Sequence, residues 1–235
     1  MTIPHSLTLI IPAYNEEKNI EGTVEDILPF LLQLESYEIL IFDDHSTDQT
    51  GKLCDQMAAK NSHLRVIHNT QNMGLGFNYK EGVRQARKDY VLMIPGDRDM
   101  RPQTYETLFQ KMGSTDMVIC YTGNIEIRPM ARQLVSKTFT GMMNFLFGTK
   151  LKYFNGIVLH KRNIIQSISI ETNGFAYQAE ALIKLLKKGH SYEQTPQWIF
   201  ERQHGSSKAF YPKNIYRVLK ALIQLFFKIQ IQKNY

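Results

Sequence analysis

Short apolar runs alternate with amphipathic stretches along the first half of the chain. Leu7–Ile11, Glu38–Phe42, Leu64–His68, Tyr90–Ile94 and Met117–Tyr121 have the length and apolar character of buried strands. Between them, a 3.6-residue apolar period predicts helices over Asn19–Leu34, Thr47–Lys60, Phe77–Arg87 and Pro102–Met112. Pro29 falls inside the first of these and predicts a kink. Ser46, Thr47 or Asp48 is the expected cap of the second. Strand and helix in strict alternation imply an α/β fold, a mostly parallel sheet flanked by helices on both faces. Ligands in such sheets sit beyond the carboxyl ends of the strands.

Those expected ends share a chemistry. The first strand runs into Pro12-Ala13-Tyr14-Asn15-Glu16, and the second into Asp43-Asp44-His45-Ser46. The third leads to Asn72-Met73-Gly74-Leu75-Gly76, and the fourth to Asp97-Arg98-Asp99. Any one of these is ordinary turn chemistry. Four at one sheet edge point to a site. Asp97 and Asp99 are the expected metal ligands, because residues i and i+2 of an extended segment point the same way and hard divalent cations take carboxylate oxygens.

The second half differs in charge. Ile127 to Ile170 contains no Asp or Glu but holds Arg128, Arg132, Lys137, Lys150, Lys152, Lys161 and Arg162. Phe139, Met142, Met143, Phe145, Leu146 and Phe147 form an apolar set in the same window, expected to be exposed. Arg202 to Tyr235 is again free of acid. There, Ile215, Val218, Leu219, Leu222, Phe226 and Ile229 fall on one face of an expected amphipathic helix, with Arg217, Lys220, Gln224 and Lys228 opposite. Such a helix suits a membrane interface. The division expected is a catalytic domain over 1–212 and this helix over 213–235.

The 235 residues suit one α/β domain, and the net charge of +6 favours anionic partners. Cys54 and Cys120 supply neither a disulfide framework nor a metal spacing, so both are expected reduced and buried. The start of the chain lacks a basic segment with a cleavage site. No apolar run reaches the roughly 20 residues a spanning helix needs. The expected location is cytoplasmic, peripheral on the cytoplasmic face of a membrane. Nucleic acid is not an expected partner, because the aromatic residues do not interleave with the basic ones.

Taken together, IPAYNEEKNI, DDHSTDQT, NMGLG and the Asp97-x-Asp99 motif resemble family 2 glycosyltransferases of the GT-A, Rossmann-like fold, over roughly residues 7–120. NGIVLHKR, FAYQAEALIKLLKKG and ERQHGSSK narrow the resemblance to polyprenyl-phosphate sugar synthases of the dolichyl-phosphate mannose synthase type. The resemblance implies an inverting transfer of a sugar, mannose from GDP-mannose as first choice or a sugar from a UDP-sugar, to a polyprenyl phosphate. It implies Mg²⁺ or Mn²⁺ on Asp97 and Asp99, with Asp99 the more direct ligand and Asp97 nearer the ribose as well. It implies a donor pocket of Pro12, Ala13, Tyr14, Asn15, Glu16, Asp43 or Asp44, Gly74 and Asp97, in which Gly74 and Gly76 let backbone approach the nucleotide. Arg128, Arg132 and Ser136 are implied at the acceptor phosphate, Arg202 and Lys208 at the donor diphosphate or the acceptor phosphate. Glu180 is implied to orient a sugar hydroxyl or Arg202.

The chain departs from that pattern in three places. Asp-Ala-Asp followed by Leu-Gln becomes Asp97-Arg98-Asp99-Met100-Arg101. An Arg just after the fifth strand is replaced by Thr122, and an Asp near Asn155-Gly156 is absent. Two other functions fit the same residues. One is transfer to a glycan or glycolipid hydroxyl, with Glu180 as an essential base. The other is a catalytically weakened nucleotide-sugar-binding protein.

Overall fold

A computed structural model describes residues 3–200 and 220–231. Seven strands form one sheet in the order β3-β2-β1-β4-β6-β5-β7. They are β1 (Ile3–Ala13), β2 (Leu34–Asp43), β3 (Leu64–His68), β4 (Tyr90–Met93), β5 (Met117–Thr122), β6 (Val158–Lys161) and β7 (Tyr192–Gln197). All neighbours pair in parallel except β6, which runs antiparallel to both β4 and β5. The helices are α1 (Ile20–Leu31), α2 (Thr50–Lys60), α3 (Leu75–Gln85), α4 (Pro102–Gln110), α5 (Met130–Phe147), α6 (Arg162–Ile165) and α7 (Tyr177–Lys187). Residues 220–231 form a last helical segment that ends in a π turn, Phe227–Ile231.

Because side chains alternate along a strand, β1 feeds two cores. Leu7, Leu9 and Ile11 join α1, α2 and α4 residues such as Ile27, Cys54 and Leu108 in one buried cluster. Ile10 joins Val83, Phe147, Leu182 and Leu225 in the other. Each such side chain contributes roughly 1.5–3 kcal/mol when fully buried. The mostly parallel, two-faced sheet expected from the alternation is the one found.

Several boundaries differ from the sequence expectation. α1 stops at Leu31 rather than Leu34, because Leu34 already pairs with Ile3 as the start of β2. α2 starts at Thr50, since the residues before it are used to tie two turns together. β6 and β7 were not expected: β7 reads Tyr-Glu-Gln-Thr-Pro-Gln, with too few apolar positions to signal a strand. It tolerates Pro196 because it lies at the sheet edge.

The C-terminal segment corrects the membrane-helix expectation. Leu222, Leu225 and Ile229 are buried in the second core cluster. That face meets the protein rather than acyl chains, and it leaves Ile223 and Phe227 exposed. Ile215, Arg217, Val218 and Leu219 lie outside the described residues. The apolar set of α5 is corrected likewise. Met143 and Phe147 are fully buried, Phe139 and Leu146 pack partly on the core, and only Met142 and Phe145 of that set stand out. Met130, Leu134 and Val135 join them on the exposed side of α5.

Candidate active site

The carboxyl ends of β1, β2 and β4 meet at one edge. Past the strands, Gly96 N–H donates to the Pro12 carbonyl (3.1 Å) and Asp44 N–H to the Ala13 carbonyl (2.8 Å). Pro12 and Ala13 are therefore flanked by the Asp43-Asp44 turn on one side and the Gly96–Asp99 turn on the other. The β1–α1 turn is sewn to the β2–α2 turn. Asn15 N–H donates to Ser46 Oγ (3.0 Å), Thr47 N–H to Asn15 Oδ1 (2.8 Å) and Glu16 N–H to Thr50 Oγ1 (2.8 Å). Asn15 and His45 both adopt positive φ to make these turns. Asp48 accepts from the Thr50 amide at 2.9 Å, but Gln49 holds the N-cap position of α2 and makes no side-chain cap hydrogen bond, which corrects the cap expected at Ser46, Thr47 or Asp48.

The two adjacent carboxylates divide their work. Asp44 accepts from Asn69 Nδ2, Met73 N–H and Gly74 N–H, at 2.8, 2.8 and 2.9 Å, and so fixes the loop that carries the glycines. Asp43 accepts from Ser46 N–H (3.0 Å) and faces His68 Nδ1 (2.9 Å). Burial pushes the Asp43 carboxyl up, but hydrogen bonds from Ser46 and His68 outweigh it and leave the pKa lowered. His68 Nε2 faces Asp55 at 3.0 Å, and hydrogen bonds to Asp43 and then Asp55 raise its pKa. Sequence reasoning missed His68; its signal was its place as the last residue of β3, level with Asp43.

Gly74 and Gly76 serve a neighbour that the sequence did not suggest. Gly76 N–H donates to the Asn173 carbonyl (2.9 Å), and a Cβ on Gly76 would sit 2.7 Å from the Thr172 carbonyl oxygen. The close approach is protein backbone on protein backbone. Glu180 holds the other side of that loop. Its carboxylate accepts the Glu171 and Thr172 amides (3.0 and 2.9 Å) and pairs with Lys184 (2.8 Å). Burial raises the Glu180 pKa, yet bonds from Lys184, Glu171 and Thr172 leave it lowered. This is the environment of a buried structural carboxylate, with the expected partner Arg202 outside the described residues.

Asp97 and Asp99 stand half-buried in the turn after β4. Arg98 between them adopts φ 51°, which turns its side chain out of line with theirs. Its guanidinium forks onto Asp26 of α1 (Nε 2.7 Å, Nη2 2.9 Å). Gly22 makes room for it, since a Cβ there would fall 2.4 Å from Nη1. Arg98 is thereby committed to α1. Among the described residues no group of three or more His, Cys, Asp or Glu is placed to hold a metal. Two carboxylates fit a cation such as Mg²⁺, which takes one or two from protein and completes its shell with water and substrate phosphate.

The turn continues into a short pairing with the chain beyond β7. Phe200 N–H donates to the Asp99 carbonyl (2.7 Å), Met100 bridges Ile199, and Arg101 N–H donates to the Trp198 carbonyl (2.8 Å). Asn124, just past β5, clamps Ile199 from its other side through two hydrogen bonds of 2.8 and 3.1 Å. Arg202 and Lys208 lie outside the described residues. Asn124 brings the approach to α5 to this edge. Arg128 there donates to Tyr153 Oη (2.9 Å), its guanidinium 5.8 Å from the ring centroid. Arg132 and Ser136 lie one turn apart on α5, both half-buried. Thr122 ends β5 with its hydroxyl buried and without a hydrogen-bond partner among the described residues. No described helix is long and apolar enough to cross a membrane.

Residues 8–178 match the family model described as Glycosyl transferase family 2. Polyprenol monophosphomannose synthase of Mycolicibacterium smegmatis is 28% identical over 216 residues, covering 85% of this chain and 79% of that protein. Undecaprenyl-phosphate mannosyltransferase of Micrococcus luteus is 26% identical over 213 residues, covering 85% of each. Among solved structures, glucosyl-3-phosphoglycerate synthase from Mycobacterium tuberculosis superimposes with a TM-score of 0.70. It is 19% identical, with 94% of this chain and 80% of that one covered; that crystal contained Mn²⁺, uridine diphosphate and glucosyl-3-phosphoglycerate.

Proposed function

This chain belongs to glycosyl transferase family 2 and is a GT-A-fold glycosyltransferase, and from that premise we propose that it moves a sugar from a nucleotide sugar to a polyprenyl phosphate with inversion. Mannose is the sugar favoured by the names of the relatives, and GDP-mannose is the donor first expected for it. The observation that carries the reading is the Asp97–Asp99 turn at the carboxyl end of β4, two carboxylates one residue apart beside the β1 and β2 turns, with Arg98 between them held by Asp26.

In this reading Pro12 to Glu16 and the Asp43-Asp44 turn receive the nucleoside. Asp97 and Asp99 would hold Mg²⁺ or Mn²⁺. When bound, a divalent cation offsets the negative charge that gathers on the departing nucleoside diphosphate. The acceptor is a phosphate monoester, whose second pKa near 6 leaves it ionised at neutral pH. It therefore needs no base, only positioning and screening. Arginine suits that task because its fork matches two phosphate oxygens. Arg128, Arg132 and Ser136 are assigned to it, with Arg202 and Lys208 shared between the two phosphate groups. Glu180, the base candidate of the hydroxyl-acceptor alternative, is engaged by Lys184 and two amides.

The lipid acceptor implies contact with a membrane surface, and the exposed apolar side of α5 suits it better than the C-terminal segment. Met130, Leu134, Met142 and Phe145 are exposed there, with Lys137 as the charged residue of that face and no acid in the window. The reading is tested by offering a short polyprenyl phosphate and the matching polyprenol in competition. Label on the phosphate alone supports it, with release by mild acid as expected of a glycosyl phosphate. Label on the polyprenol would replace it with the hydroxyl-acceptor reaction.

A further inference from the structure

Arg101 stands where the resemblance leads one to expect an uncharged side chain, two residues beyond Asp99. Its neighbour Met100 is buried in the core and bridges Ile199 in antiparallel fashion. Successive side chains of an extended pairing face opposite ways. With Met100 inward, Asp99 and Arg101 fall on the face away from that core, where the strand ends open. The Arg101 guanidinium lies over the Phe200 ring, 5.3 Å from its centroid. A stacked guanidinium keeps its in-plane donors available. Its Nε is buried and has no hydrogen-bond partner among the described residues. A buried N–H left unpaired costs free energy and marks a place where a ligand acceptor belongs. α4 begins at Pro102, so the positive end of its dipole falls at the same point.

We propose that Arg101 contacts the diphosphate of the donor nucleotide directly, adding a fixed positive charge beside Asp97 and Asp99. This rests on the reading of that edge as the donor site. A guanidinium stacked on Phe200, on a backbone held by the Trp198 carbonyl, needs no cation to be in place. Part of the diphosphate affinity therefore survives removal of divalent metal, in contrast to a site that relies on two carboxylates alone.

The test is calorimetric titration of the full chain with guanosine, GDP, uridine and UDP, in chelator and in Mg²⁺. The intact protein is expected to prefer one nucleoside diphosphate over its nucleoside even in chelator. Arg101→Gln is expected to lose that preference, about tenfold to hundredfold in diphosphate affinity, with nucleoside affinity and melting temperature unchanged. Arg101→Lys should fall between, keeping the charge but losing the fork. Diphosphate binding by Arg101→Gln equal to the parent overturns the proposal and leaves the donor site standing. Equal losses for nucleoside and diphosphate also overturn it, since Arg101 would then only brace the loop. A folded parent that binds neither diphosphate in Mg²⁺ removes the donor-site reading and the proposal with it.

Discussion

Arg98 is held by Asp26, two hydrogen bonds of 2.7 and 2.9 Å joining the turn after β4 to the middle of α1. The pair decides what the Asp97-Arg98-Asp99 sequence means. A guanidinium that lay between the carboxylates would compete with any cation. Fixed to Asp26 from a left-handed backbone, it braces the turn instead. Arg98→Ala is therefore expected to retain sugar transfer within a few-fold. It should cost no more than about 1 kcal/mol of stability, because the pair is partly exposed. Steady-state kinetics and a urea transition measure both; a large rise in activity would show that Arg98 does restrain the carboxylates.

Glu180→Gln separates a structural carboxylate from a catalytic one. Removing its charge leaves the buried Lys184 ammonium with the Ser169 carbonyl (2.7 Å) and a longer 3.9 Å approach to Glu171, which is expected to destabilise the fold by about 3 kcal/mol. The folded fraction should still catalyse transfer at a rate within about tenfold of the parent. Urea titration paired with rates corrected for folded protein provides the check. Unchanged stability with activity lost a thousandfold would restore Glu180 as a base.

His68 gives the protein an alkaline limb. Its pKa is raised by hydrogen bonds to Asp43 and Asp55. The stability it contributes is complete below its unfolded pKa of about 6.5 and is lost as pH rises through the higher folded value. Asp43, with its pKa lowered, works in the opposite sense: its contribution is present above the unfolded carboxylate value and fades as pH falls through the folded one. Urea midpoints of the parent are expected to decline between neutral and mildly alkaline pH, and those of His68→Gln to stay flat there. Parallel pH curves for the two proteins would show that His68 is not protonated in the folded state.

The surface of α5 and the C-terminal segment make opposite predictions. Leu134→Lys with Phe145→Lys is expected to release the protein from liposomes with little change in melting, since both side chains are exposed. Leu222→Ala is expected to lower stability by about 2–5 kcal/mol through a cavity in the core, with liposome binding of the folded protein retained. Sedimentation with vesicles and thermal melts distinguish them. Full binding by the α5 double variant would place the membrane contact elsewhere.

Much of this fold is legible because its strands are short apolar runs bounded by turn residues. Leu64–His68 is found with the bounds its pattern suggests, and the edge that gathers Asp44, Gly96 and Asp99 follows from strand order alone. β7 is hidden because Glu193, Gln194 and Pro196 carry no apolar signal. The C-terminal segment misleads because an amphipathic pattern reports that a face is buried, not what buries it; Leu222 and Ile229 would look the same against lipid. Arg98 and Glu180 were unreadable for another reason. Their partners, Asp26 and the Glu171–Thr172 amides, are set by tertiary packing, which residue type and spacing do not encode. The carboxylates Asp97 and Asp99 were visible because both stand at a strand end one residue apart.

The central claim is metal-dependent sugar transfer to a lipid phosphate by the Asp97–Asp99 edge. Its most direct test mixes purified protein, a short polyprenyl phosphate, Mn²⁺ or Mg²⁺ and a panel of labelled nucleotide sugars, then counts label in the organic phase. The account predicts label from one donor, GDP-mannose first, abolished by chelator and by Asp99→Asn in a protein that melts like the parent. Undiminished transfer by Asp99→Asn, or no transfer from any donor by a protein that still binds nucleotide, would contradict it.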